Sequence, residues 1–321
     1  MTTAVDKWAA EIRAGNIRAI SRAVSAIENR ESEAEEILRQ IFPYTGRAFR
    51  VGVTGAPGTG KSTLVDRLAG RYRSEGKTVG IIAVDPSSPF TGGAILGDRI
   101  RMQGHASDDG IFIRSMATRG FLGGLAQATG DTALVLDAAG KEMILVETVG
   151  VGQGEIEVVR LADCTLVVLM PGMGDDVQNL KAGLMEIGDI FVLNKAEREG
   201  ADRFEQQLKA MLQIVPERDG WKPPVVRTVA TEGKGIEEVA AEIGRYREHF
   251  EKSRDRRERE LAYWKEWLVQ LLEARLLERV VGTKVSEAEF EKLVSEVAMR
   301  TKDPYTAVGE ILTRAGLGER N

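Results

Sequence analysis

The sequence predicts an α/β fold with a mostly parallel central sheet, flanked by helical extensions at both ends of the chain. Three observations support this fold class. Short apolar runs alternate with helical patterns through the middle of the chain, a glycine-rich turn follows the first run, and both ends carry helical periodicity alone. We therefore divide the chain into an N-terminal helical extension (1–46), a central α/β domain (47–250) and a C-terminal helical segment (251–321).

Seven apolar runs in the central domain are predicted strands. They cover residues 49–54, 79–84, 111–114, 143–147, 165–170, 190–194 and 225–230. Most of these runs are continuous rather than alternating, which is typical of parallel strands that helices cover on both faces. After the first run and the glycine turn, a helix is predicted over 64–72.

Helical periodicity marks both ends of the chain. In the first segment apolar residues recur at steps of three and four, at Ile17, Ile20, Val24 and Ile27. After about residue 236 no strand pattern remains, and the predicted helices cover 237–250, 255–281 and 287–299. A last helix is predicted to begin at Pro304, because Asp303 offers an N-cap and proline suits the first helical position.

The composition favours a cytoplasmic protein without nucleic-acid or membrane partners. The net charge is -5 and the charged residues are well mixed, so no basic patch for nucleic acid is expected. No apolar run approaches the roughly 20 residues that span a bilayer. Asp6 and Glu11 lie in an N-terminus that lacks the apolar core of a signal peptide. The single cysteine, Cys164, borders an apolar run and is expected to be a buried thiol.

A phosphate-binding loop follows the first predicted strand. A full GxxxxGK[ST] motif is formed by Gly55, Ala56, Pro57, Gly58, Thr59, Gly60, Lys61 and Ser62, and Thr63 comes next. The glycines free backbone N–H groups to point at phosphate oxygens, and the dipole of the following helix adds positive potential. Lys61 is expected to reach the β and γ phosphates of a nucleotide, and the Ser62 hydroxyl to bind Mg²⁺. A chance glycine-rich turn is the alternative, which the strand–turn–helix setting disfavours.

Polar residues follow two of the predicted strands, at the positions where doubly wound sheets bind ligands. Asp85 ends the first of these strands, Asp98 lies farther along the next loop, and Glu147 ends the second strand. Carboxylates at such positions can hold Mg²⁺ directly or through its waters. Gly150 can offer its N–H to a γ-phosphate, so the segment after Glu147 is a candidate switch loop.

The predicted strand 190–194 runs into Asn194-Lys195-Ala196-Glu197, which is close to the guanine-reading NKxD motif of GTPases. In that motif the carboxylate accepts from the N1–H and N2–H₂ donors of guanine, a pair that adenine lacks. Glu197 is one methylene longer than aspartate, so we expect weakened or retained guanine selectivity. Ala230 and Thr231, in the loop after the last strand, are expected to bring backbone N–H groups to the guanine carbonyl oxygen.

Taken together, these motifs resemble one family, the MeaB/ArgK-type P-loop GTPases. The resemblance covers nearly the whole chain, and its most specific parts are residues 85–99, 114–120, 147–153 and 303–307. It implies a P-loop NTPase fold that hydrolyses GTP to GDP with the help of Mg²⁺. It also implies a chaperone that couples its nucleotide state to cofactor loading and protection of an adenosylcobalamin-dependent acyl-CoA mutase, chiefly methylmalonyl-CoA mutase.

The resemblance also implies roles for individual residues. Phosphate and Mg²⁺ contacts are implied for Lys61, Ser62 and Thr63, and switch positions for Asp85, Asp98 and Glu147. The catalytic candidates are accordingly Lys61, Asp98 and Glu147, and the metal candidates are Ser62, Asp85, Asp98 and Glu147. The loop 171–181 resembles a third switch that carries the nucleotide state to the mutase, through Gly172, Asp175, Asp176 and Lys181.

Two alternatives to this function stay open. A metal-delivery GTPase for nickel enzymes belongs to the same lineage, but one cysteine and two scattered histidines argue against the ligand cluster that such ions need. An ATP-using kinase is the other alternative, although Asn194 and Lys195 favour guanine. Since no glutamine directly follows Gly150, we expect slow intrinsic hydrolysis that a partner stimulates.

A wide apolar stripe on the helix predicted over 255–281 favours a homodimer. Its residues are Leu261, Trp264, Leu268, Leu271, Leu272 and Leu276. Little of the chain remains beyond this helix to cover the stripe, and such a patch would be unusual on the surface of a monomer. The alternative is that the stripe packs back onto the central domain.

Overall fold

The computed structural model describes residues 3–85, 108–117, 124–148, 161–172, 182–214, 217, 219–253 and 255–317. The chain divides into two compact units, Met1–Arg257 and Glu258–Asn321. The first unit contains the sheet, the helices that cover it and the three N-terminal helices. The regular secondary structure in the described residues of the second unit is all helical.

A seven-stranded sheet lies at the centre of the first unit. Its strands are β1 (Phe49–Thr54), β2 (Val79–Asp85), β3 (Ile111–Ala117), β4 (Met143–Glu147), β5 (Cys164–Leu169), β6 (Ile190–Leu193) and β7 (Val225–Arg227). Their order is β3-β2-β4-β1-β5-β6-β7, and each of these pairings is parallel. The predicted fold class is confirmed. The strand predicted over 225–230 is wrong at its end, because β7 stops at Arg227.

Helices cover the sheet and precede it in the chain. They are α1 (Ala4–Arg13), α2 (Ile17–Glu28), α3 (Ser32–Ile41), α4 (Lys61–Ser74), α5 (Gly124–Ala138), α6 (Ala182–Ile187), α7 (Ala201–Leu212) and α8 (Ile236–Lys252). The sequence did not predict α5. This helix packs against both the sheet and the N-terminal helices, so it lacks the one-sided apolar stripe by which a surface helix is recognised.

The N-terminal helices pack on α5 and belong to the same compact unit as the sheet. The indole N–H of Trp8 donates to the carbonyl oxygen of Ala19 at 3.0 Å and joins α1 to α2. Arg114, on the edge strand β3, forms an ion pair with Glu28 at the end of α2. In addition, the Asp137 carboxylate of α5 accepts from the backbone N–H groups of residues 46–48. These contacts fasten the N-terminal segment to the α/β core.

The carboxyl ends of the central strands bring the predicted site residues to one edge of the sheet. Val53 of β1 is in register with Glu147 of β4, and Leu169 of β5 is in register with Leu193 of β6. Since all these strands are parallel, the loops that follow them leave the sheet at the same edge. The phosphate loop, Glu147 and the segment from residue 194 therefore become neighbours.

The described residues of the second unit form three α-helices and one π-helical turn. Its elements are α9 (Asp255–Arg279), which begins just before the unit, a π-helical turn (Val280–Lys284), α10 (Glu287–Ala298) and α11 (Pro304–Arg314). As predicted, Asp303 caps α11 and Pro304 is its first residue. Trp267, Val285 and Leu293 are buried. Among the helices of the described residues, none is both long and apolar enough to cross a membrane.

A buried carboxyl group lies in the middle of α5. Asp131 is 9% exposed, and no ion pair reaches it within the part of the chain that the structure describes. Burial raises the pKa of Asp131 from its usual value near 3.8 to about 7, because the low-dielectric interior disfavours the charged form. The folded state therefore holds this proton more tightly than the unfolded state. The resulting stabilisation is complete below pH about 4 and is lost as pH rises through about 7.

We expect Asp131→Asn to stabilise the protein at pH 8 and to change its stability by less than about 1 kcal/mol at pH 4, where the unfolded chain also holds most of this proton. The amide keeps the shape of the side chain but has no charge to bury, so the gain at pH 8 should be roughly 2–4 kcal/mol. Chemical denaturation at both pH values measures this difference. Glu11→Gln, at an exposed position on α1, serves as the control and should change neither value. An Asp131→Asn variant with the pH dependence of the wild type would contradict the raised pKa.

Candidate nucleotide-binding site

The phosphate loop joins β1 to α4 through a backbone that only glycine suits at two positions. Gly55 has φ 140°, and a Cβ there would lie 2.2 Å from the carbonyl oxygen of Val168 in β5. Gly60 has φ 97°, and its Cβ would lie 2.3 Å from the side-chain nitrogen of Asn194. The loop is therefore in close contact with two other segments of the site. Its turn leads directly into the first residue of α4, Lys61.

The ammonium group of Lys61 lies inside this loop. Lys61 is 6% exposed, and its Nζ donates to the carbonyl oxygens of Gly55 at 2.7 Å and Ala56 at 3.1 Å. The positive end of the α4 dipole is at the same place, because Lys61 begins that helix. A buried cation and a helix N-terminus thus converge on the turn that the motif assigns to phosphate, which is the expected arrangement for binding an anion.

The second residue of α4 contacts the end of β4. The Ser62 hydroxyl donates to the Glu147 carboxylate, with 2.6 Å between Oγ and Oε1. Hydroxyl and carboxylate oxygens are the hard ligands that Mg²⁺ takes, and it uses only one or two protein carboxylates alongside phosphate and water. This donor pair therefore fits a magnesium site. Asp85 lies at the same edge of the sheet, two residues beyond Ala83, which is the register partner of Glu147.

Several predicted residues lie outside the described part of the chain. They are Asp98 and Gly150 of the predicted switches, and Asp175, Asp176 and Lys181 of the predicted partner loop. Gly172, which opens that partner loop, is described. It is exposed and has φ 82°, so a tight left-handed turn follows β5.

Asn194 connects three segments of the site through one buried carboxamide. Its Nδ2 donates to the carbonyl oxygen of Thr59 in the phosphate loop at 2.8 Å. Its Oδ1 accepts from the Thr228 hydroxyl at 3.0 Å and from the backbone N–H of Ala230 at 3.1 Å. The side chain is 2% exposed. The residue that the sequence assigned to guanine recognition therefore also joins the phosphate loop to the loop after β7.

The structure also describes the other two residues of the predicted guanine motif, Lys195 and Glu197. Lys195 has φ 56°, and its ammonium donates to the carbonyl oxygen of Gly58 at 2.6 Å. The stem of Lys195 thus runs from the end of β6 to the phosphate loop, along the space between the two. Glu197 is exposed at the surface, where its carboxylate is accessible to a ligand. The backbone between Lys195 and Glu197 is held by Ala196, whose N–H donates to the carbonyl oxygen of Thr228 at 3.1 Å.

The loop after β7 begins where the strand was predicted to continue. Residues Ala230–Glu232 form a 3₁₀ turn, and Val229 and Lys234 pair in an antiparallel bridge across it. The strand ends early because its pairing partner β6 ends at Leu193, which is in register with Arg227. The Thr228 hydroxyl just beyond donates to Asn194. Arg67 of α4 holds this turn from outside, through the carbonyl oxygens of Ala230 and Thr231. No sequence motif indicated Arg67, since its contact spans 163 residues of sequence.

Comparison with known proteins agrees with this geometry. A family profile described as "Methylmalonyl Co-A mutase-associated GTPase MeaB" matches residues 20–285. The chain belongs to this family. It is 50% identical over 311 residues to a protein of Pyrococcus abyssi described as a candidate GTPase, with 96% of each chain covered. GTPase ArgK of Escherichia coli is 34% identical over 308 residues, which cover 94% of this chain and 93% of ArgK.

The similarity extends to a solved structure. The crystal structure of a LAO/AO transport system kinase superposes with a TM-score of 0.72 at 27% identity, and 96% of each chain is covered. Membership of the MeaB family and the P-loop fold together make this protein an enzyme that hydrolyses GTP. The resemblance to MeaB/ArgK-type GTPases, predicted from the sequence, is confirmed.

We expect Gly60→Ala to destabilise this MeaB-family protein more than Gly58→Ala. Both glycines have positive φ, at 97° and 80°, but a Cβ at Gly58 meets nothing within 4 Å. Gly58→Ala should therefore cost only the backbone strain of about 1 kcal/mol. Gly60→Ala should cost roughly 2–4 kcal/mol, because its Cβ displaces the Asn194 amide from Thr59 as well. Denaturant unfolding without nucleotide compares the free energies of unfolding of the two variants. Equal losses would show that the hydrogen bond from Asn194 to Thr59 does not contribute to stability.

Proposed function

We propose that this protein binds GTP with Mg²⁺ at the carboxyl edge of its sheet and couples hydrolysis to the conformation of a partner enzyme. The observation that carries this proposal is the carboxamide of Asn194, which joins the phosphate loop to both loops assigned to the base. Nucleotide contacts are proposed for the phosphate loop from Gly55 to Thr63, and for Gly150, Asn194, Lys195, Glu197, Ala230 and Thr231.

Guanine is proposed to be read by the exposed carboxylate of Glu197. Guanine offers it two donors, N1–H and N2–H₂, whereas adenine offers no such pair. Lys195 reaches from the end of β6 to the phosphate loop, where its aliphatic stem can cover the plane of the base. The extra methylene of Glu197 relative to aspartate suits its surface position, since the side chain can adjust without disturbing the buried Asn194.

Hydrolysis is accelerated by positive groups that lie where negative charge builds up on the transferred phosphoryl group in the transition state. We propose that Lys61 exchanges its carbonyl partners for the β and γ phosphates, since hydrogen bonds between charged groups are stronger than those to carbonyls. Mg²⁺ would be held by Ser62 and Glu147, with Asp85 and Asp98 as further candidates, and would offset phosphate charge when bound. Lys61, Asp98 and Glu147 are accordingly the proposed catalytic residues.

The proposed partner is an adenosylcobalamin-dependent acyl-CoA mutase, and methylmalonyl-CoA mutase in particular. The family's own description names an association with that enzyme. The protein would act as a chaperone that couples GTP turnover to loading and protection of the mutase cofactor. The partner loop that begins at Gly172 leaves the sheet at the same edge as the phosphate loop, because β5 and β1 are parallel neighbours. A partner that binds this loop would therefore be coupled to the presence of the γ-phosphate.

The metal-delivery alternative finds little support in the donor chemistry. A GTPase that carries nickel needs clustered nitrogen or sulfur ligands. The described residues contain no group of three or more His, Cys, Asp or Glu side chains placed to hold a metal ion. The lone cysteine, Cys164, is buried in β5 within the hydrophobic core. We therefore retain the mutase chaperone as the proposed function.

A homodimer through the C-terminal helices is part of the proposal. Four leucines of the predicted stripe on α9 are exposed: Leu261 at 62%, Leu268 at 64%, Leu272 at 58% and Leu276 at 42%. Trp267 of the same helix is buried, so the helix has one covered face and one apolar face in solvent. A second copy of this chain would offer an identical apolar helix, and pairing the two would remove both stripes from water.

The mutase proposal predicts that the partner accelerates GTP hydrolysis and that the partner loop transmits this effect. P-loop GTPases gain up to about 10⁵-fold when a partner supplies or orders a missing group. We expect stimulation of the wild type by methylmalonyl-CoA mutase, and a smaller stimulation of Asp175→Ala, Asp176→Ala and Lys181→Ala. Single-turnover hydrolysis with and without the mutase measures both.

Asp109→Ala is the matched control for these loop variants. Asp109 is exposed and precedes β3, at the opposite edge of the sheet from the phosphate loop. This variant should be stimulated as strongly as the wild type. Equal stimulation of all variants would exclude the loop as the connection, and a mutase that stimulates none of them would contradict the chaperone function.

A further inference from the structure

Arg67 forms a two-point contact with the loop after β7. Its Nε donates to the carbonyl oxygen of Ala230 at 3.2 Å, and its Nη2 donates to the carbonyl oxygen of Thr231 at 2.9 Å. The guanidinium group is planar and rigid, so two bonds from one guanidinium to successive carbonyls fix the orientation of the turn as well as its position.

The opposite side of the same turn faces Asn194. The backbone N–H of Ala230 donates to the Asn194 Oδ1 at 3.1 Å, while the Ala230 carbonyl receives Arg67. In a turn of helical type the carbonyl groups point one way along the axis and the N–H groups the other way. Asn194 already accepts from the Ala230 N–H, and the N–H groups of Glu232 and Gly233 bond to carbonyls within the turn. With its carbonyls held by Arg67, the turn therefore directs the Thr231 N–H to the side of Asn194, where the base is proposed to bind.

We propose that Arg67 is a positioning residue for recognition of the 6-oxo group of guanine. This inference rests on the proposed guanine site and adds a residue that acts through the loop rather than on the nucleotide. By holding the carbonyls of Ala230 and Thr231, Arg67 aims the Thr231 N–H at position 6 of the purine. Guanine has an acceptor oxygen there and adenine has an amino group, so a rigid donor at this place separates the two bases.

The position of Arg67 on α4 links base recognition to phosphate binding. The same helix begins with Lys61 and Ser62, which are proposed to contact phosphate and Mg²⁺. Arg67 lies less than two turns along it. The loop after β7 is thus fastened to the helix that carries the phosphate site, and the distance between the two ends of the nucleotide is set by one rigid element.

A second arginine of α4 supplies a matched control. Arg71 lies one turn beyond Arg67 and pairs with Glu75 at 2.8 Å and with Glu237 of α8 at 3.4 Å. Its ion pairs therefore lie on acidic side chains rather than on the carbonyls of the turn. Arg71→Ala removes the same side chain from the same helix, so a general loss of helix stability would affect both variants.

The test compares ligands that differ at one atom of the base. GDP and 6-thio-GDP differ at position 6, where sulfur is a weaker acceptor than oxygen. GDP and inosine diphosphate differ by the N2 amino group, which is proposed to face Glu197. Calorimetric affinities for the three ligands are measured for wild type, Arg67→Ala, Arg67→Lys and Arg71→Ala. Ratios of affinities are used because they do not change when part of a variant is unfolded.

We expect wild type to prefer GDP over 6-thio-GDP by about tenfold, the size of one hydrogen bond to a good acceptor. In Arg67→Ala this ratio should fall to within about twofold of unity, while the ratio of GDP to inosine diphosphate stays at the wild-type value. Arg67→Lys should recover part of the preference, because an ammonium can still reach one carbonyl. Arg71→Ala should keep both wild-type ratios.

Three results would overturn the inference, and they differ in what else they reject. If wild type binds all three ligands equally, the guanine pocket itself is wrong, and the role of Arg67 is rejected with it. If wild type discriminates and Arg67→Ala keeps the preference for GDP over 6-thio-GDP, the guanine pocket stands and Arg67 has no role in reading position 6. A fall in both ratios for Arg67→Ala would also reject this role of Arg67, because the effect would not be confined to position 6 of the purine.

Discussion

The buried carboxamide of Asn194 is the interaction on which the site depends. Its nitrogen donates to the phosphate loop at Thr59, and its oxygen accepts from Thr228 and Ala230 in the segment after β7. Each of these partners is a polar group that would lose about 1–3 kcal/mol if it were buried without a hydrogen bond. One planar group therefore holds three distant segments in a single arrangement. The requirement for glycine at position 60 follows from the same contact, since a side chain there would occupy the place of the amide.

Charged side chains of the phosphate loop and of β4 also have defined partners. The Lys61 ammonium is buried on two loop carbonyls, and the Ser62 hydroxyl is bonded to the Glu147 carboxylate. In the proposed function, the phosphate oxygens of a triphosphate would be stronger partners for Lys61 than the two carbonyls are. Ser62 and Glu147 would both bind the same Mg²⁺ ion. These groups would then exchange their present partners for phosphate and Mg²⁺, and charge held at such positions is a main source of catalysis in phosphoryl transfer.

The sequence predicted most of this site because its information is local. Glycine spacing identifies the phosphate loop, and continuous apolar runs identify the seven parallel strands. The end of β7 was predicted too late, because Val229 and Ala230 continue the apolar run although the partner strand β6 has already ended at Leu193. Helix α5 was missed, because a helix covered on several sides has no polar face. Arg67 could not be found either, since its role arises only when α4 lies beside a loop far along the chain.

The most direct test of the central role of Asn194 is the affinity of wild type and Asn194→Ala for GDP and for ADP, measured by calorimetry. We expect wild type to bind GDP at least about tenfold more tightly than ADP, and Asn194→Ala to lose roughly 2–4 kcal/mol of GDP affinity together with that preference, because three buried partners are left unpaired. A wild type that binds ADP as tightly as GDP, or an Asn194→Ala variant with wild-type affinity and selectivity, would contradict the role of Asn194 as the link between phosphate loop and base loops.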